Sequence, residues 1–398
     1  MRVSILRAEN QIGGSVLSVS SETTNIILDL GSELELSIPP RVPKIEGLFR
    51  GETAYDGILI SHHYQDHTGL IPYVLPGIPV YMSRKMEAFY RYAAYNQRVN
   101  SGSAPIVFDP NGEKADGSLR FMIGDICVTP LLCCEGITEA YVYLLENNGE
   151  KLLYTGGFRY DGRKEIPELF ERIPAAKQLL IDATMLSRLF SGVAGPEEQL
   201  ASVLAESLKQ MHPVFFMTSS TNTERFISLF RAAALSGRNI FLDTYQAEIL
   251  RQAVPALMDP RQHPEVRIFS SGVRAAQESL QENEDRSISM EMIPFKHYVM
   301  AVRPGRGMER FLDQLNRIRP LQGSSLVFSM WKGFQEQNDI RRFTEHCRSL
   351  GMTIEYIHSS GLEDLGALKR LSDQAAPEHI RIAYASDPEK LKQFLKNY

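Results

Sequence analysis

The feature that most constrains this chain is a change of texture near residue 180. Before it, short apolar runs (RVSIL, SVLSV, NIILDLG, GILIS, IPVYM) alternate with Gly, Asn, Asp or Pro, which is the spacing of strands and turns. The runs ICVTPLL, AYVYLLE and KLLYTG continue the series, and Asn147, Asn148 and Gly149 mark a hairpin between the last two. One helix is expected among them, from Arg84 to Arg98, where apolar residues recur at helical spacing without Gly or Pro. After QLLIDAT the pattern alternates: GPEEQLASVLAESLKQM as a helix, PVFFMT as a buried strand, TNTERFISLFRAAALSG as a helix closed by Gly237, then NIFLD as a strand. A second such cycle runs through GMERFLDQLNRI, SSLVFSM, NDIRRFTEHCRSLG and MTIEYIHSSG. That alternation is the mark of a parallel α/β unit. Two textures need two cores, and 398 residues suffice for both.

Composition excludes several function classes. With 43% hydrophobic and 23% charged residues the chain reads as an ordinary soluble globular protein, and no apolar run approaches a membrane span. The opening MRVSILRAENQIGG lacks the apolar core and small-residue cleavage site of a secretory signal, so a cytoplasmic location is expected. Cys127, Cys133, Cys134 and Cys347 form no CxxC pair and fit reduced thiols. A net charge of −5 argues against a surface that traps polyanions as a whole. Nucleic-acid contact then requires a local patch. Lys296, Arg303, Arg306, Arg310, Arg317 and Arg319 outnumber Glu309 and Asp313 in one segment, which reads first as a solvated face with a basic turn and second as a phosphate-binding surface.

The chemistry concentrates in ISHHYQDHTG, Ile60 to Gly69. A dinuclear hydrolytic site holds two cations about 3.5–4 Å apart, and each takes His or carboxylate ligands with one position left open. A loop after a strand that carries His-x-His-x-Asp-His supplies both metals. Here the string reads His62, His63, Tyr64, Gln65, Asp66, His67.

With its neighbours, this loop resembles that of the metallo-β-lactamase superfamily. NQIGGS, IILDLG, ISHHYQDHTGL and LLYTGGFRYDG match that family's landmarks in order, and IDAT, TSSTNTER, FSMWKG, IHSSG and ASDPEK are similar to those of its RNA-processing branch, which carries a β-CASP insertion. The resemblance spans nearly the whole chain. It implies an α/β fold, a four-layer αββα sandwich formed by residues 1–186 and 351–398 with an inserted α/β domain over 187–350. It also implies a metal-dependent RNA phosphodiesterase ancestry.

The departures fall on the ligands. Tyr64 stands where the family has its second loop His, Glu135 (or Cys134, one position earlier) where it has its third, and Gly157 where it has the metal-bridging Asp. Leu362 and Tyr384 replace two further imidazoles. His62, Asp66 and His67 remain in place, and His63 sits at a spacer position. Without a bridging carboxylate, two dications repel each other uncompensated. The resemblance then implies a metal set of His62, Asp66 and His67, with Glu135 as a replacement ligand or as a solvated turn carboxylate, for one zinc or other divalent ion or for none. Three functions stay open: a non-catalytic protein that binds nucleic acid or a partner, such as a second copy or an active paralogue; a single-metal hydrolase of phosphoesters with Asp66 as catalytic base or ligand; or a purely structural subunit without any ligand.

Outside the loop, Thr221 and Glu224 fit a capping box, with phosphate capture at the same helix start as the alternative. Ser359, Ser360 and Gly361 fit a phosphate-holding turn or a plain one. No GxxxxGK[ST] loop and no GxSxG elbow occur.

Overall fold

The computed structural model describes residues 1–7, 14–33, 40–97, 106–108, 119–135, 139–156, 158, 167–183, 197–253, 259, 262–270, 284–358, 364–383, 393 and 395. The protein is a mixed α/β structure whose described strands form three six-stranded sheets. The chain divides into two compact units, Met1–Gly192 with Gly361–Tyr398, and Val193–Ser360.

Unit 1 opens with β1 (Arg2–Arg7), β2 (Val16–Ser20), β3 (Asn25–Leu28) and β4 (Gly57–Leu59). The short helix α1 (Gln65–Thr68), β5 (Val80–Ser83), α2 (Arg84–Gln97) and β6 (Ile106–Phe108) complete the first sheet, ordered β1-β2-β3-β4-β5-β6. Its first three strands are antiparallel and the rest parallel. Next come β7 (Phe121–Ile123), β8 (Ile126–Glu135), β9 (Glu139–Asn147), β10 (Glu150–Tyr154), α3 (Pro167–Arg172) and β11 (Gln178–Asp182).

The expected hairpin is there: Asn148 and Gly149 both take positive φ, 48° and 78°, and pair Asn147 with Glu150. That left-handed pair matches the strand twist, which is why Asn-Gly serves here.

Unit 2 holds α4 (Glu197–Ser207), β12 (Val214–Met217), α5 (Thr223–Ser236), β13 (Asn239–Asp243), α6 (Thr244–Ala253) and β14 (Val266–Phe269). It continues with β15 (Tyr298–Val302), α7 (Arg306–Ile318), β16 (Ser325–Phe328), α8 (Asn338–Ser349) and β17 (Thr353–Tyr356). All strand pairs of this sheet are parallel, in the order β14-β13-β15-β12-β16-β17. Helix α7 shows why it packs: Met308, Phe311, Leu312 and Leu315 fall on one stripe at i, i+3, i+4 and i+7 and join Phe215, Met300 and Phe328 in a core. The chain then returns to unit 1 with α9 (Asp364–Ala375) and β18 (His379–Ala383).

Strand β18 completes a second sheet in unit 1, ordered β18-β11-β10-β9-β8-β7. Period-two alternation divides its side chains. Tyr141, Tyr143 and Leu145 of β9 join a core shared with the first sheet, whereas Val142 and Leu144 face a second core with Leu169 of α3 and Leu368 and Leu371 of α9.

One expectation is corrected. The boundary at 351 assigns MTIEYI to the sandwich, but Thr353–Tyr356 pairs with Ser325–Phe328 at the edge of the unit 2 sheet, in keeping with the α/β alternation. The return to unit 1 therefore falls at Gly361, after that strand. A short half-buried strand with alternating residues suits the edge of either sheet, and pairing partners decide between them.

Candidate metal centre

The loop after β4 is held by backbone bonds that a four-residue helix cannot make for itself. Leu30 N–H donates to His67 O at 2.8 Å, Ser32 N–H to Gln65 O at 3.1 Å and Ser15 N–H to Asp66 O at 3.2 Å. This approach is so close that a Cβ on Gly31 would lie 1.7 Å from Asp66 O, so the Gly of IILDLG is a packing requirement.

Asp29, just past β3, is the hub. It adopts φ 60°, a left-handed conformation that Asp tolerates better than most residues. Its Oδ1 accepts from Ser61 N–H at 2.7 Å. Its Oδ2 accepts from Ser61 Oγ at 2.7 Å, Tyr154 OH at 2.6 Å and His67 Nδ1 at 2.8 Å. Because the Ser61 hydroxyl donates to Asp29, it accepts from His62 Nδ1, 2.9 Å away, which assigns the Nδ1–H form to that ring.

His67 is 1% exposed and turns Nε2 toward two carboxylates, Asp182 Oδ2 at 3.5 Å and Asp66 Oδ2 at 3.8 Å. Burial pushes the imidazole down, but the charges of Asp29, Asp66 and Asp182 and the hydrogen bond to Asp29 outweigh it and lift His67 to about 9. Asp182 ends β11, its N–H donating to Thr155 Oγ1 at 3.0 Å.

Among the described residues, Asp29, His67 and Asp182 are the one group of three or more whose ligand atoms all lie within 4.8 Å of one another. Of the expected set, His67 belongs to this group; His62 and Asp66 do not join it. Glu135 lies at the end of β8, where its backbone pairs with Glu139, and its side chain is outside the described residues. Gly157, Ser359, Ser360, Gly361, Leu362 and Tyr384 are also outside them. Tyr64 sets its ring edge-on to His62, centroids 5.1 Å apart, and against His63 at 4.6 Å. His63, the spacer, packs on Phe89 at 4.4 Å.

Metal bonds of about 2.0–2.2 Å in a tetrahedron place neighbouring ligand atoms about 3.4 Å apart. His67 Nε2 and Asp182 Oδ2, at 3.5 Å, have that spacing. Asp29 is already engaged: its contact with His67 is a hydrogen bond, and three donors converge on Oδ2. It orients the imidazole, the usual task of a carboxylate behind a metal-binding His. The described residues do not fit a dinuclear centre. Around His67 Nε2 they place the carboxylates of Asp182 and Asp66, with the His62 ring 3.9 Å from that of His67 between centroids.

Asp29 and Asp182 were missed as site residues, although each ends an apolar run, IILDLG and LLIDAT. A carboxylate closing a buried strand was the available signal. Thr221 is also reassigned. Asn222 caps α5, accepting from Arg225 N–H at 3.2 Å, and the Thr221 hydroxyl pairs with Ser219 Oγ at 2.9 Å. In the basic segment, Arg303 binds Asp243 and lies over Tyr245, and Arg319 donates to Pro294 O; Lys296, Arg306, Arg310 and Arg317 are exposed.

No helix among the described residues is long and apolar enough to cross a membrane. No family model matches the chain, and no curated protein matches it. Among solved structures it is similar to a protein of unknown function from Enterococcus faecalis V583, at 18% identity over 98% of this chain and 95% of that one, with a TM-score of 0.72. The likeness is one of fold.

Proposed function

We propose that this chain is a metallo-β-lactamase-type protein of the β-CASP, RNA-processing lineage whose metal site has degenerated. It would work as a non-catalytic binding protein, with RNA as the first ligand to test and a second copy or an active paralogue as the alternative partner. In this reading unit 1 is the four-layer αββα sandwich and unit 2 the β-CASP-like insertion. The order of the sequence landmarks supports the lineage, and so does the interruption of unit 1 by a parallel α/β unit.

The observation that carries the loss of catalysis is the hydrogen bonding of the centre. Asp29 Oδ2 accepts from three donors, which leaves His67 Nε2 and Asp182 Oδ2 as the close pair of the one candidate group among the described residues. Two-metal hydrolysis needs about three ligands per ion and a bridging group.

A second reading, a single-metal hydrolase, is favoured by the 3.5 Å spacing of His67 Nε2 and Asp182 Oδ2. Those two residues would hold the ion with Asp66 beside it, and a bound divalent ion would supply an activated water. Metal analysis after chelator-free purification, combined with RNA and phosphodiester turnover, separates the two. The binding-protein reading expects substoichiometric metal, no turnover above buffer, and RNA retention that His67→Ala leaves unchanged. Near-stoichiometric zinc, iron or manganese, lost together with turnover in His67→Ala, would establish the hydrolase instead.

A further inference from the structure

The unit 2 sheet forks at its carboxyl edge. Connections leaving β12 and β13 run toward the β14 edge, and those leaving β15 and β16 run toward the β17 edge, so neighbouring β12 and β16 send the chain in opposite directions. Such switch points open the crevice in which open parallel sheets bind ligands.

The residues at this fork are donors. Arg225, 4% exposed on the first turn of α5, reaches across to the segment after β16, its Nη1 donating to Ser329 O at 3.0 Å and Ser329 Oγ at 2.7 Å, with His358 Nδ1 at 2.9 Å. Ser220, in the turn from β12, and Thr223, which opens α5, are 8% and 1% exposed, and neither hydroxyl has a hydrogen-bond partner among the described residues. Burying a hydroxyl unbonded costs about 1–3 kcal/mol, so two in one turn call for an acceptor that serves both. The backbone offers little here, because Thr223 N–H donates to Thr221 O and Arg225 N–H to Asn222 Oδ1. Side chains, with the positive end of the 14-residue helix α5 behind them, carry the site.

We propose that unit 2 binds a phosphate-class oxyanion at the β12/β16 fork, held by the Ser220 and Thr223 hydroxyls in the positive field of Arg225 and the amino end of α5. Ser219, exposed on the same turn, is bonded through its hydroxyl to Thr221. The anion is either inorganic phosphate or the phosphate of a nucleotide. The site involves no residue of unit 1 and does not rest on the lineage proposed above.

Thermal unfolding and calorimetric titration test it, with inorganic phosphate, adenosine monophosphate, and chloride at matched ionic strength. Phosphate, unlike chloride, should raise the wild-type Tm with its concentration, as any ligand selective for the folded state does. The Ser220→Ala/Thr223→Val variant removes only unbonded hydroxyls, so it should melt no lower than wild type without phosphate yet bind it at least about tenfold more weakly, a loss of about 1.4 kcal/mol. His67→Ala should bind phosphate like wild type, whatever becomes of the centre in unit 1. Tighter binding of the nucleotide than of phosphate would identify the nucleotide as source, and the reverse would identify the free ion. No rise above chloride in wild type, or an equal rise in the double variant, would overturn the proposal.

Discussion

The loop centre of unit 1 and the fork of unit 2 are both buried polar clusters at strand ends, but they are wired in opposite ways. At the first, a carboxylate accepts from three donors on one oxygen and a backbone N–H on the other, and three acidic groups surround one imidazole. At the second, a guanidinium bonds Ser329 near the start of α5, and the Ser220 and Thr223 hydroxyls have no hydrogen-bond partner among the described residues. An acceptor already engaged as Asp29 Oδ2 is binds a cation poorly, because each ligand bond must replace a hydrogen bond. A cluster with surplus donors gains bonds when an anion arrives. Residue types that spell a metal site therefore do not guarantee one.

The contrast can be broken most severely at Asp29. Asp29→Ala strands a buried imidazole, a tyrosine hydroxyl and a serine hydroxyl, and should destabilise unit 1 by about 3–5 kcal/mol in urea unfolding. Asp29→Asn, which keeps a side chain suited to φ 60°, should cost less. Equal stability of wild type and Asp29→Ala would show that the network is not what holds the loop.

Removing only the proton is milder. In chelator-treated protein His67 is raised above its unfolded value of about 6.5 to about 9, so its contribution is complete below pH 6.5 and is lost as pH rises through 9. Hydrogen exchange across that range should show loosening around His67 and not around Arg225, and uniform protection would contradict the charge network.

Next in size, Gly31→Ala forces Asp66 O away and should cost about 1–3 kcal/mol, read as a lower urea midpoint. The smallest effect sharpens the comparison instead: Tyr64→His with Gly157→Asp should raise zinc affinity about tenfold or more in calorimetry, each change alone doing less. Negligible zinc binding in both wild type and the double variant would mean that the loop has lost its ligand geometry.

Much of this was legible in the residues. The strand runs, the Asn148–Gly149 turn and the α/β alternation after Gln178 follow from period and turn chemistry, which are local properties. His67 was legible from its spacing in the loop. Asp29 and Asp182 were not, because β3 and β11 belong to different sheets and no local spacing shows that their ends meet. The boundary at 351, which cut Thr353–Tyr356 away from its sheet, fails for the same reason, since strand pairing depends on distant partners. The cap shifted from Thr221 to Asn222 because both types accept from a helix start and only backbone geometry selects one.

The lateness of β18 bears on how the protein is made. Gln178–Asp182 must wait for His379–Ala383, its parallel neighbour, until all of unit 2 has left the ribosome. Until then the β11 edge and the α3 face lack β18 and α9, leaving unpaired backbone groups and exposed leucines of the kind that invite aggregation. Unit 2, with its sheet formed from consecutive sequence, can fold during that interval, so unit 1 closes after unit 2 across a long loop and at a slow rate.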